Sequence, residues 1–363
     1  MLLEEGQLIR DVYEIDRFLG EGAFAEVYRV KHKFLGRQAM KVFKSPSLSL
    51  HEVEQKLGEA IMLSRIGHPN IIRVFDAGTL ETKAGSCGYF TMEYVAGGSL
   101  ETFWQSHNTS FIPILDTLEI LKQICTGLAV AHAEQPPIVH RDIKPQNILV
   151  GYDPAGLRIR IGDFGLAKHV NPLTLLASAA GTPAFKPPEF LSDYDSCAGD
   201  VWAVGVTFYL LLTDRLPFPI VDLMDFSGGK CWKRPLIPAS RFNIQVNAEL
   251  DSILARALAL KPSDRYPDAM SLLNDLTPWK PTETKNLKER GPSADEHKSA
   301  LQSQVKTGRL SAEELLSSAL ELSQDASKLV EAADLMEEAL TNSPEFREKY
   351  EYQLTLWRRG IML

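Results

Sequence analysis

The chain contains the run His140-Arg141-Asp142-Ile143-Lys144-Pro145-Gln146-Asn147, and the triplet Asp163-Phe164-Gly165 follows farther along. Asp142 can accept a proton from a hydroxyl group, and Lys144 can neutralise charge on a phosphoryl group in transit. The side chains of Asn147 and Asp163 supply the hard oxygen atoms that magnesium prefers. Together these two segments contain the side chains that a phosphoryl-transfer reaction requires.

Further motifs flank these two segments in a fixed order. Upstream lie the glycine-rich segment Leu19–Val27 and the triplet Ala39-Met40-Lys41. Downstream lie Gly181–Glu189, with the sequence GTPAFKPPE, and Asp200–Gly205, with the sequence DVWAVG. Any one of these motifs could arise by chance, but the complete set in this order resembles the protein kinase family over residues 11–279.

The hydrophobic periodicity of the chain changes near Gly97. Residues 13–43 alternate apolar and polar positions around glycine turns, which predicts three antiparallel strands, and residues 50–66 have helical spacing. The strand pattern returns at Ile71–Gly78 and Tyr89–Tyr94. Beyond Gly97 the predicted elements are helices, at Leu100–Ser106, Ile114–Glu134, Val201–Leu212, Ala248–Ala259 and Tyr266–Leu276.

The resemblance implies an α+β fold of the bilobal protein kinase type. A small antiparallel β-sheet lobe with one helix is expected to join a larger helical lobe, and a C-terminal α-helical tail follows. The expected boundaries are 11–279 for the kinase domain, 11–94 for its N-lobe, 95–279 for its C-lobe, 280–309 for a flexible linker and 310–363 for the tail.

The tail is predicted to be helical because apolar residues regain helical spacing after the polar linker. Ala332, Met336, Ala339 and Pro344 have the spacing of the second helix of a tetratricopeptide repeat. A stable array of such repeats needs about three copies, and this chain offers one partial match. Two interpretations therefore stay open: a tetratricopeptide-like unit that binds a partner, or a plain helical hairpin that packs on the kinase domain or on a second copy of the chain.

The composition indicates a soluble globular protein: of 363 residues, 44% are hydrophobic and 24% charged, and the formal net charge is −8. An acidic balance argues against nucleic acid as a partner, because such binding needs clustered lysine and arginine. The longest apolar segment, Val201–Leu212, is too short to span a membrane. The four cysteines are widely spread, which is typical of free thiols, so we expect a cytoplasmic protein.

The resemblance identifies the residues expected to hold ATP. Gly20 and Gly22 would let the backbone approach the phosphates, and Ala25 replaces the third glycine of the usual pattern. Lys41 would contact the α- and β-phosphates, with Glu59 as its partner on the helix. The residues expected around the adenine are Leu19, Val27, Ala39 and Leu149, the gatekeeper Met92, and the backbone of Glu93 and Val95.

The same resemblance gives the catalytic and metal-binding roles. Asp142 and Lys144 are the expected catalytic residues, and Asn147 and Asp163 the expected ligands of Mg²⁺, a site that Mn²⁺ would also fit. Lys144 together with Thr182 is typical of kinases that phosphorylate serine and threonine. The expected cofactors are therefore ATP and Mg²⁺, and the expected partners are protein substrates.

Other matching residues are expected to be structural or regulatory. His140 would stack beneath Phe164 in an apolar column with Leu63 and Val74, and Glu189 would pair with Arg265 to tie the activation segment to the large lobe. The complete set of expected structural or regulatory residues is His140, Arg141, Phe164, Gly165, Thr182, Glu189, Asp200 and Arg265.

Arg141 suggests control by phosphorylation, because the family uses this position to bind a phosphate on the activation segment. Thr174 and Ser178 are the candidate phosphosites. The surrounding segment, residues 173–180, is unusually apolar, so docking of this segment without any phosphate is the alternative.

Two functions compete at this point. The first is an ATP- and Mg²⁺-dependent kinase that transfers the γ-phosphate to serine or threonine hydroxyls of proteins, itself included. The second is a pseudokinase scaffold that binds partners through the helical tail. Retention of Lys41, Asp142, Asn147 and Asp163 favours the enzyme. The compact loops and short tail resemble bacterial members of the family more than animal members.

Overall fold

The structure, a computed structural model, describes most of residues 1–281 and parts of the tail. The described residues are 1–22, 25–46, 50–83, 85–107, 111–153, 156–164, 183–192, 195–218, 229–281, 312–323, 332–333, 335–336, 339–340, 343, 346, 350 and 353–354.

The N-terminal part is a six-stranded antiparallel sheet with the strand order β1-β2-β3-β4-β6-β5. Helix α1, Leu50–Ile66, packs against β5 and begins and ends where the periodicity predicts. The strands are β1 Leu8–Ile9, β2 Tyr13–Glu21, β3 Ala25–His32, β4 Gly36–Pro46, β5 Val74–Thr82 and β6 Gly85–Glu93.

The larger part is mainly helical and contains one hairpin, β7 Ile148–Asp153 with β8 Gly156–Ile161. Its helices are α2 Leu100–Ser106, α3 Ile114–His132, α4 Cys197–Thr213, α5 Ala248–Ala257 and α6 Ala269–Leu276. Helix α4 is buried on nearly every side, because α3, α5 and α6 all pack against it. The expected α+β fold with a sheet lobe and a helical lobe is therefore confirmed.

Several predicted boundaries shift for local reasons. The predicted strand Ile71–Gly78 begins only at Val74, because Ile71 and Ile72 instead pair with Ile161 on β8, with 2.9 Å from the Ile72 nitrogen to the Ile161 carbonyl oxygen. Helix α6 begins three residues later than predicted, because the side chain of Asp268 caps it by accepting the N–H of Ser271.

The chain between the two parts runs close to β7. A Cβ atom at Gly97 would lie 2.3 Å from the carbonyl oxygen of Val150, so only glycine fits there. The next residue, Gly98, accepts a hydrogen bond from the Val150 N–H at 2.9 Å, and Ser99 then caps α2. These contacts fix the backbone beside the cleft, by which we mean the space between the sheet part and the helical part.

The described part of the tail contains α7, Ala312–Leu322, and helical residues farther on. They share one apolar cluster, whose buried members are Leu315, Leu316, Ala319, Ala332, Ala333, Met336, Ala339 and Leu340. The helices found in the described residues include none with the length and apolar character needed to cross a membrane.

A buried ion pair connects Glu189 to the helical lobe. Both Glu189 carboxylate oxygens accept from the Arg265 guanidinium at 2.7 Å, and the Arg265 side chain is 0% exposed. Arg265 also donates to the carbonyl groups of Ala259 and Leu260, and it lies over the Trp202 ring. Glu189 therefore supplies the counter-charge for this buried guanidinium.

We expect Glu189→Gln to lower the free energy of unfolding by roughly 3–5 kcal/mol, because it leaves the Arg265 charge buried without a counter-charge. The measurement is urea unfolding of the full chain. The matched control is Glu4→Gln, which removes the exposed Glu4–Lys83 pair and should change stability little. Equal losses in the two variants would show that the buried pair has no special weight.

Candidate active site

The loop that carries Asp142 is held from below by the buried carboxylate of Asp200 on α4. This carboxylate accepts the backbone N–H of His140 at 2.6 Å and that of Arg141 at 2.8 Å. Arg141 has a left-handed backbone with φ of +70°, which a non-glycine residue adopts only when its surroundings enforce it. Burial by itself raises the pKa of Asp200, but the hydrogen bonds and charges of His132 and His140 together outweigh burial, so the pKa is lowered.

His140 joins this loop to the segment that contains Asp163. Its Nδ1 accepts the Asp142 N–H at 3.2 Å, so its Nε2 carries the proton and donates to the Gly162 carbonyl oxygen at 2.7 Å. The ring meets Phe164 edge to face, with centroids 4.5 Å apart. Phe164 and Leu63 are buried in one cluster, against which Val74 packs. The structure thus places His140 against Phe164, and it places Phe164, Leu63 and Val74 in one apolar cluster.

Both oxygens of the Asp142 carboxylate are hydrogen-bonded. Oδ2 lies 2.8 Å from Lys144 Nζ and accepts from Asn147 Nδ2 at 2.9 Å, while Oδ1 accepts from Lys186 Nζ at 2.8 Å. Burial alone would raise the pKa of Asp142, but the ammonium groups of Lys186 and Lys144 hold it well below its usual range. The carboxylate is therefore ionised and fixed in orientation.

Lys41 on β4 reaches across the cleft to Asp163. Its Nζ lies 2.7 Å from Asp163 Oδ2, and both side chains are partly exposed. Asp163 has φ of +62°, a second left-handed backbone in the site. Glu59, the expected partner of Lys41, lies on α1, but its side chain falls outside the described residues.

The donor atoms near Asp142 suit a hard divalent cation. Asn147 uses its Nδ2 for both the carbonyl oxygen and the carboxylate of Asp142, which leaves Oδ1 as its remaining acceptor. Asp163 uses Oδ2 for Lys41 and has a second carboxylate oxygen. An amide oxygen and a carboxylate oxygen are ligands that Mg²⁺ accepts, so these residues fit the expected metal.

The apolar residues expected around the adenine share one apolar cluster, except for Leu19. Ala39 and Met92 are buried there, and the cluster packs Val27, Val95 and Leu149 against them. Leu19 is not a member of this cluster and is 38% exposed.

Gly20, Gly22 and Glu93 are the other residues expected at the nucleotide. Gly20 lies on β2, and Gly22, just beyond its end, donates its N–H to the Ala25 carbonyl oxygen at 2.8 Å. The N–H of Glu93 donates to the Arg73 carbonyl oxygen at 2.9 Å, and its carboxylate accepts from Arg160.

Arg141 turns away from Asp142 toward the far side of the loop. Its Nε donates to the Asp195 carboxylate at 2.6 Å, and its Nη1 donates to the Val139 carbonyl oxygen at 2.7 Å. The Asp195 side chain is 52% exposed. The remaining predicted residues lie outside the described residues: Gly165, Thr174, Ser178 and Thr182.

Sequence reasoning missed three side chains that contact this site: Lys186, Asp195 and His132. His132 donates to Asp200 from α3, and its Nδ1 accepts the N–H of Ala269. Lys186 stands inside the recognised segment Gly181–Glu189, and a basic residue there was the available signal. Nothing in the local sequence of Asp195 marks it, because its partner is distant along the chain.

Comparisons of the sequence with known proteins find protein kinases. The sequence model described as "Protein kinase domain" matches residues 13–278. The serine/threonine-protein kinase PknB of Mycobacterium leprae is 31% identical over 278 residues, 74% of this chain and 43% of that protein. The serine/threonine-protein kinase ATG1c of Arabidopsis thaliana is 33% identical over 216 residues, 59% of this chain and 28% of that protein.

Solved structures agree with these sequence relatives. The crystal structure of the Mycobacterium tuberculosis PknI kinase domain superposes with a TM-score of 0.56 at 26% identity, and covers 76% of this chain and 99% of that one. The chain spans less than half the length of the two curated relatives described above. Since the family model covers most of the chain and the structure has the matching fold, the chain belongs to the protein kinase family.

Proposed function

We propose that this protein is an ATP-dependent serine/threonine protein kinase, which transfers the γ-phosphate of ATP to hydroxyl groups of proteins, itself included. The observation that carries the proposal is the Asp142 carboxylate, ionised and held by Lys144 and Asn147 beside a Lys41–Asp163 pair. The similarity to named serine/threonine kinases supports the same activity.

Asp142 is the proposed proton acceptor. A carboxylate whose orientation is fixed can accept a hydrogen bond from a substrate hydroxyl and take its proton as the oxygen attacks phosphorus. Lys144, 2.8 Å from Asp142 Oδ2, would stabilise negative charge on the transferring group. The presence of Lys144 also supports serine and threonine as the residues that accept the phosphate.

The nucleotide would lie between the glycine-rich hairpin and the apolar cluster. Val27, Ala39 and Leu149 would enclose the adenine, and Lys41 would move its contact from Asp163 to the phosphates. Asn147 and Asp163 would hold Mg²⁺, or Mn²⁺ in its place. The metal, when bound, neutralises phosphate charge and orients the phosphates.

We propose a flexible linker at residues 280–309, followed by a tail that binds a partner or a second copy of the chain. Its apolar cluster supports a helical unit, and either a tetratricopeptide-like unit or a plain hairpin would fit. We also propose a cytoplasmic location, because the reaction consumes ATP and none of the four cysteines forms a disulfide. A scaffold without activity is disfavoured, because Lys41, Asp142, Asn147 and Asp163 are all present.

Asp142→Asn should lower phosphate transfer from radiolabelled ATP to casein by about 100-fold or more, because the proposed proton acceptor is lost. The control variant is Asp153→Asn, which removes the surface pair with Arg158 and should keep full activity. Equal incorporation by wild type and Asp142→Asn would defeat the enzyme and leave a scaffold as the better function.

Asp163→Ala should weaken binding of Mg·ATP by about tenfold or more, because a charge-assisted contact is removed. Isothermal titration calorimetry of the full chain measures this affinity. ATP in EDTA should bind wild type and Asp163→Ala with similar affinity, since the metal is then absent. Unchanged Mg·ATP affinity in the variant would contradict a metal-binding role for Asp163.

Incubation with ATP should phosphorylate Thr174 or Ser178, because a phosphate there can compete with the exposed Asp195 for Arg141. Mass spectrometry locates the modification. The double variant Thr174→Ala with Ser178→Ala should then be less active than wild type. An active wild-type enzyme that is unmodified at both residues would leave docking of the apolar segment as the means of activation.

A further inference from the structure

Lys186 is a buried lysine whose ammonium group contacts the loop at residues 140–147, which carries Asp142 and is called the catalytic loop below. Its side chain is 6% exposed. Its Nζ lies 2.8 Å from both Asp142 Oδ1 and the Arg141 carbonyl oxygen, and the Phe190 ring centroid is 5.2 Å away. The ammonium group is thus enclosed by two oxygen atoms and an aromatic face.

The backbone around Lys186 is fixed, so this contact is built into the fold. A short 3-10 turn at Pro183–Phe185 precedes it, and the Lys186 N–H donates to the Pro183 carbonyl oxygen at 3.0 Å. A second such turn, Pro188–Ser192, follows and includes Glu189, which the Arg265 ion pair anchors. The backbone of Lys186 is therefore held by contacts on both its N-terminal and its C-terminal side.

The two lysines bind different oxygen atoms of the Asp142 carboxylate. Lys144 and Asn147 bind Oδ2, and Lys186 alone among the described side chains binds Oδ1. Rotation of the carboxylate about its Cβ–Cγ bond would break hydrogen bonds at both oxygens. Lys186 thus supplies the second of two fixed points that determine where the oxygens lie.

The charges at this place do not balance. Two ammonium groups, of Lys144 and Lys186, face the single carboxylate of Asp142, and Lys186 is nearly fully buried. Burial of a second cation beside a carboxylate that already has a counter-ion is costly, and an apolar side chain would pack there at less cost. The excess positive charge is complementary to a phosphoryl group, which brings negative charge to the same carboxylate.

We propose that Lys186 is a positioning residue for phosphoryl transfer: it fixes Oδ1 of Asp142 toward the substrate hydroxyl and adds positive charge beside the transferring group. This inference rests on the proposed kinase function. It assigns to Lys186 a role in turnover, whereas Lys144 and Asn147 hold the other oxygen. Through Lys186, the segment 183–189 contacts the catalytic loop directly and orients the Asp142 carboxylate.

The test compares three variants of Lys186 in the full chain. Lys186→Met keeps the length of the side chain without its charge, Lys186→Gln keeps a hydrogen-bond donor without charge, and Lys186→Arg keeps the charge. We expect Lys186→Met to lower kcat by about 10- to 100-fold, Lys186→Gln to lower it less, and Lys186→Arg to stay within about threefold of wild type. KM for ATP should change by less than about twofold in all three, because Lys186 contacts the loop and not the nucleotide site.

Lys83→Met is the matched control, since Lys83 pairs only with an exposed carboxylate in the described structure, and its kcat should equal that of wild type. Thermal unfolding of each variant shows whether it is folded. If Lys186→Met is not folded, Lys186→Gln takes its place as the uncharged variant. Unchanged kcat in a folded neutral variant, or equal losses in the Arg and neutral variants, would overturn the role of charge at Lys186. If wild type transfers no phosphate at all, the kinase function itself fails, and this inference with it.

Discussion

The carboxylate of Asp200 is the contact on which the rest of the site depends. It is 1% exposed, lies on the buried helix α4, and accepts two consecutive backbone N–H groups, those of His140 and Arg141. His132 on α3 donates to the same carboxylate and accepts the first N–H of α6, from Ala269. One buried charge thus binds two helices and the catalytic loop, and its loss would leave these backbone groups buried and unsatisfied.

The hydrogen bonds to Asp200 stabilise a backbone conformation of the catalytic loop that would otherwise be unfavourable. The left-handed Arg141 turns the chain so that Asp142 points into the cleft while the Arg141 side chain points to Asp195. His140 then carries the constraint onward, because its ring bonds Gly162 and packs on Phe164. The two acidic residues of the site, Asp142 and Asp163, are therefore positioned by one connected set of hydrogen bonds.

The charges of the cleft form one ion pair and one group of three charges. Lys41 and Asp163 neutralise each other across the lobes, whereas Asp142 is opposed by both Lys144 and Lys186. The Lys41–Asp163 pair is partly exposed, so Lys41 can exchange Asp163 for the phosphates of a nucleotide that enters the cleft. The second group is more buried, and its excess positive charge fits a site whose substrate is a phosphate group.

The sequence by itself determined the fold class, the order of the elements and the identity of most residues in the cleft, because motifs and periodicity are local properties of the chain. It placed α1 and α2 correctly, since each has clear helical spacing, but it began β5 too early and missed β7 and β8. Apart from the Glu189–Arg265 pair, which the family resemblance predicted, only the tertiary structure decided which charged groups meet. The bonds of Lys186 to Asp142, of Lys41 to Asp163 and of Arg141 to Asp195 join residues far apart along the chain, and no local pattern encodes a distance between them.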